Sequence, residues 1–127
     1  MSPEQQIQQA QRRIDYADVM MAEATQLDDI AAQLMAVQRY WGAPNRQIHL
    51  TAALADSRAV WHGIQAALAE GTLELPLEVQ HNLLILSVYA DSKITACEIA
   101  PSTEGLSSLI ALTRALAGSL KEWRVAA

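Results

Sequence analysis

Asn82-Leu83-Leu84-Ile85-Leu86-Ser87-Val88-Tyr89-Ala90 is the stretch on which the fold turns. Its β-branched residues do not alternate with polar ones, so it lacks the two-residue period of a half-buried strand. It belongs to a longer segment that opens at Pro76, a residue suited to a first helical turn, carries Glu78 where it complements the helix dipole, and runs to about Glu98. A helix that is apolar nearly all the way round is buried on most sides or keeps one face for a partner. It is expected to be the central element of the fold.

The segments on either side are punctuated as helices too. Upstream, Asn45 offers an N-cap to a helix in which Leu50, Leu54, Trp61, Ile64 and Leu68 share one face, widened by Ala53, Val60 and Ala67, until Gly71 ends it. Thr72-Leu73-Glu74-Leu75 then connects to Pro76. Downstream, Pro101-Ser102-Thr103 reopens the chain, and Leu106, Leu109, Thr113, Leu116, Leu120 and Trp123 form a last stripe interrupted by Gly118. At the beginning, Ser2-Pro3-Glu4-Gln5 combines a hydroxyl cap, a first-turn proline and a returning glutamine, so a helix starts at Pro3. Its stripe of Ile7, Ala10, Ile14, Ala17 and Met21 is thin, and either packs on its own chain or docks on another. Thr25-Gln26-Leu27-Asp28 resembles a second capping box, after which Leu27, Ile30, Leu34, Val37 and Trp41 recur until Gly42-Ala43-Pro44. Spacing leaves open whether these first two segments are one helix or two. The expected fold is all-α: an antiparallel bundle of four to five helices forming a single domain over residues 1–127, with an N-terminal helix at 1–24 that is extended or exchanged between subunits.

Composition agrees. Half of the 127 residues (51%) are hydrophobic and Phe is absent, so Leu, Ala, Ile and Val fill the interior, and Ala and Leu lose least on entering a helix. Nine basic residues are scattered among fourteen acidic ones, a net charge of -5 that disfavours direct nucleic-acid binding. Neither a leader-like apolar segment nor a membrane-length apolar run is present, and the single cysteine, Cys97, has no second cysteine for a disulfide, metal or redox motif. A soluble cytoplasmic protein is expected.

Catalytic patterns are missing. His49, His62 and His81 are not spaced for a helical metal site, Asp28 and Asp29 are adjacent and point apart on a helix, and GxSxG, GxxxxGK[ST] and GxGxxG do not occur. Cys97 reads as a buried thiol, Met20 and Met21 as core residues. The expectation is a protein with no catalytic residues, metal or cofactor, working by binding.

From Leu50 to Leu120 four elements occur in order: Asp56-Ser57-Arg58-Ala59-Val60-Trp61, then Leu75-Pro76-Leu77-Glu78-Val79, then Asn82-Leu83-Leu84-Ile85-Leu86-Ser87, then Leu109-Ile110-Ala111-Leu112-Thr113-Arg114-Ala115-Leu116-Ala117-Gly118. In order and spacing they resemble the FlaF family of flagellar biosynthesis regulators, with a FlaF-like core over 45–124. Ser57 and Thr113 depart from it, standing where the family has asparagine, and the closing Gly-Leu becomes Ser119-Leu120. The resemblance implies a protein that binds flagellin as a chaperone, promotes its synthesis or export, and acts alongside the regulator FlbT. An apolar groove beside the Pro76–Glu98 helix is where a flagellin segment would be buried. Arg58, Trp61, Leu75, Pro76, Ile85, Tyr89 and Arg114 are the candidate partner-binding residues. For Trp61 and Tyr89 the competing reading is core packing, and for Arg58 and Arg114 it is pairing with carboxylates inside the bundle. Two other functions compete: an RNA-linked post-transcriptional regulator of flagellin expression, and a helical oligomer that self-associates through its N-terminal helix without chaperone activity.

Overall fold

The computed structural model describes residues 2–71 and 75–126, and side chains other than those of 7–20 and 123–126. Four helices are found among the described residues: α1 Pro3–Arg39, α2 Arg46–Glu70, α3 Leu77–Ile99 and α4 Thr103–Ala126. This is the all-α bundle expected. The two N-terminal segments are a single helix of 37 residues. Its start is the capping box read from the sequence: Gln5 N–H donates to Ser2 Oγ at 3.3 Å, and Ser2 N–H donates to Gln5 Oε1 at 3.1 Å. The second box does not start a helix: α1 runs straight through it, and the Thr25 hydroxyl donates backward to Met21 C=O at 2.9 Å.

Gly71 closes α2 in the left-handed conformation, φ 70°, where a residue without Cβ has no steric penalty. Asn45 stands at the N-cap of α2 without capping it; its side chain bonds the His49 ring instead, 3.0 Å from Nε2. Pro76 likewise is the N-cap of α3 rather than its first residue, and Gln80 Nε2 donates to Leu75 C=O at 2.7 Å to fix the turn. At α4, Ser102 Oγ accepts from Gly105 N–H at 2.9 Å. A Cβ at Gly105 would lie 3.2 Å from Cys97 Sγ, so glycine lets the start of α4 come close to the end of α3.

The helices form a closed antiparallel ring: among the described residues the backbone of α1 comes close to α2 and α4, that of α3 to α2 and α4, and the diagonal pairs lie farther apart. The contact between α1 and α4 is the most extensive. Leu27, Leu34, Leu50, Trp61, Leu83, Ile94, Leu106, Leu109 and Leu116 fill the centre from all four helices. Lys121 Nζ bonds Asp28 Oδ2 (2.6 Å) and Gln38 Nε2 bonds Ser107 Oγ (2.6 Å) across α1 and α4, while Gln33 Nε2 reaches Asp56 Oδ2 (3.1 Å) in α2. Counting outward along the antiparallel neighbours from these contacts, α4 ends opposite about residue 23 of α1 and α2 ends opposite about residue 19. The first half of α1 therefore runs on past the bundle. The side chains of Ile7, Ala10, Ile14, Ala17, Met20 and Trp123, as well as residues 72–74, lie outside the described ones.

Candidate partner-binding face on α3

Helix α3 buries Leu83, Ser87, Ala90, Ile94 and Cys97, spaced by three and four on one side. Opposite that side, where a bundle helix ordinarily carries charge, Leu77, Leu84, Ile85 and Val88 face outward, with Tyr89 at the edge and Ile99 at the far end. Their exposure is large: 77% for Leu77, 63% for Ile85, 59% for Val88 and 58% for Tyr89. From Val79 to Ala90 the helix has no Asp, Glu, Lys or Arg, and His81 and Tyr89 are its titratable residues. The all-round apolar pattern thus has two causes, a core face and an uncovered one. Scattered exposed apolar residues are ordinary, but a contiguous uncharged strip along three turns is the mark of an interaction surface.

The strip continues into a groove of about 270 Å³ between α2 and α3, walled by Leu68 and Ala69 on one side, Leu77, His81 and Leu84 on the other, with Gln65 and Gln80 as its polar groups. Polar pairs border the strip further along. His62 Nε2 lies 3.2 Å from Asp91 Oδ1, an ion pair only when the imidazole is protonated. Arg58 pairs with Glu98 through Nη1 and donates to Thr95 Oγ1 through Nη2 at 3.0 Å, tying α2 to the second half of α3. On the other border Lys93 Nζ sits 5.4 Å from the centre of the Tyr89 ring, holding that ring at the edge of the strip.

The residues singled out from the sequence separate accordingly. Ile85, Tyr89 and Pro76 are exposed on or beside the strip. Trp61 is fully buried among the α2 core residues and Leu75 belongs to the same core, so both pack the interior. Arg58 is engaged within the bundle. Arg114 is exposed on α4, seven residues from both Ser107 and Lys121, which reach toward α1; it lies on the α1 flank, away from the α3 strip. Leu77, Leu84, Val88 and the groove residues Leu68 and Ala69 were not singled out. The signal for them was the apolar circumference itself, which does not tell which side faces out.

Cys97 is buried, and burial pushes its thiol pKa up, partly offset by Lys93. Among the described residues no group of three or more His, Cys, Asp or Glu is placed to hold a metal, and no helix is long and apolar enough to cross a membrane.

The family model of the flagellar protein FlaF matches residues 5–120. The chain belongs to the FlaF family. The match begins at residue 5 and so takes in most of α1 as well as the four elements between Leu50 and Leu120. Neither the curated proteins nor the solved structures contain a match to the chain.

Proposed function

We propose that this FlaF-family protein is a cytoplasmic flagellin-binding chaperone that works without catalysis, burying an apolar helical segment of flagellin on the outer face of α3 and in the α2–α3 groove. The observation that carries the reading is the uncharged strip of Leu77, Leu84, Ile85 and Val88 on an otherwise well-packed bundle. Segments that become helical only on assembly expose apolar residues beforehand, and a strip of this length accommodates the i, i+3, i+4, i+7 anchors of one amphipathic helix. Covering that segment delays polymerisation and supports flagellin production or export. The family resemblance adds FlbT as a second partner, one that would join after flagellin is held.

The test is calorimetric titration with the cognate flagellin, full length and lacking either terminal segment. Binding should be lost with one terminal deletion. Ile85→Asp, on an exposed position, should weaken binding by at least about tenfold and leave the melting temperature nearly unchanged. Absence of binding to full-length flagellin at tens of micromolar, or equal binding by Ile85→Asp, would remove the proposal.

A further inference from the structure

By helix length the first half of α1 extends past the ends of α2 and α4, and the α3 strip is exposed. A helix in water draws its stability mainly from an amphipathic face packed against something, and a segment of this length is marginal alone. The lengths of α2 and α4 do not reach residues 3–18 of α1, and the backbone there is helical. Ile7, Ala10, Ile14 and Ala17 recur at spacings of three and four along that segment, which places them on one line of the helix, large and small in turn, a pattern that admits close helix packing.

The segment cannot reach the strip of its own chain. Helix α1 is continuous to Arg39, so its first half is carried outward along the bundle axis, and α1 and α3 occupy diagonal corners of the ring. A second copy has no such restriction. Sixteen helical residues extend about 24 Å, enough to overlie the Leu77–Tyr89 strip, about 18 Å long. The five exposed apolar side chains of the strip offer on the order of 550 Å², about two thirds of the roughly 800 Å² each partner contributes to a stable interface, and in a reciprocal pair each subunit adds a face of its own α1.

We infer that two copies cover each other reciprocally, the projecting half of α1 of each lying on the α3 strip of the other. The contact is isologous and closes at two subunits. The dimer itself is independent of the flagellin reading; its regulatory consequence rests on that reading, because the dimer hides the surface flagellin would use, and flagellin then binds by displacing α1.

The experiment is sedimentation equilibrium of the full chain with two substitutions at separate surfaces, Ile14→Lys and Ile85→Asp. The unsubstituted chain should be a dimer at about 100 µM, and each substitution alone should weaken the dimer by at least about tenfold. An equimolar mixture of the two variants should dimerise more tightly than either, because one of its two contacts is unsubstituted and the other joins Lys to Asp; this recovery also shows that both variants are folded. A monomeric unsubstituted chain overturns the inference. So does sensitivity to Ile85→Asp alone, the sign of an α3–α3 dimer, or to Ile14→Lys alone, the sign of an α1–α1 pair, or failure of the mixture to recover. Titrating flagellin into the same samples separates the two readings: displacement with at least about fivefold tighter binding to Ile14→Lys supports both, whereas a confirmed dimer that no flagellin dissociates removes the chaperone reading and leaves the dimer standing.

Discussion

Ser57 and Thr113 occupy matching places in the FlaF pattern, and both are fully buried in the bundle centre, yet their hydroxyls are treated differently. Thr113 Oγ1 donates to Leu109 C=O at 2.7 Å, whereas Ser57 Oγ has no hydrogen-bond partner among the described atoms. A satisfied buried hydroxyl contributes about 1 kcal/mol, and an unsatisfied one costs about as much. Ser57→Ala should therefore leave stability unchanged or raise it by up to about 1 kcal/mol, while Thr113→Val lowers it by about 1 kcal/mol, both read from urea unfolding. Glu23, half-buried on α1, has its pKa raised by burial. Because the folded state disfavours its charged form, it costs nothing while both states are protonated, and stability is lost as pH rises through the raised value. Glu23→Gln should raise the melting temperature at pH 7 and make no difference at pH 3.5, a pattern that thermal scans at the two pH values would check.

Element by element, what could be read from the sequence was whatever depends on neighbours a few residues away. The Ser2–Gln5 box, the Gly71 stop and the buried stripes Leu50-Leu54-Trp61-Ile64 and Leu106-Leu109-Leu116-Leu120 are all local patterns and all are present. Thr25-Gln26-Leu27-Asp28 carries the same kind of signal as a helix start, but the hydroxyl has two possible partners, the amide ahead or the carbonyl four residues behind, and the continuity of α1 decides for the carbonyl. The same limit applies to α3. Leu83 and Ile85 are equally apolar and two residues apart, and only the placement of α2 and α4 sends the first inward and the second out. The site was thus legible as a helix and illegible as a face. Trp61 was drawn into the candidate site by its size, the property that also makes it the largest buried side chain in the core.

At the scale of the molecule, four antiparallel helices with short turns enclose one core to which each of them contributes. The ion pairs Arg58–Glu98 and Lys121–Asp28 are partly exposed and add little stability, but they fix how neighbouring helices align. The length of α1 has a hydrodynamic consequence. At 37 residues it spans about 55 Å, against about 35 to 38 Å for the 23 to 25 residues of the other three helices, so the molecule is elongated and has more friction than a sphere of its mass. A single 13.9 kDa chain should elute ahead of compact standards of its own mass, and a Stokes radius fitting a compact monomer would contradict the projecting helix. Column position alone would then overstate the mass of one elongated chain, whereas light scattering at the peak weighs it directly.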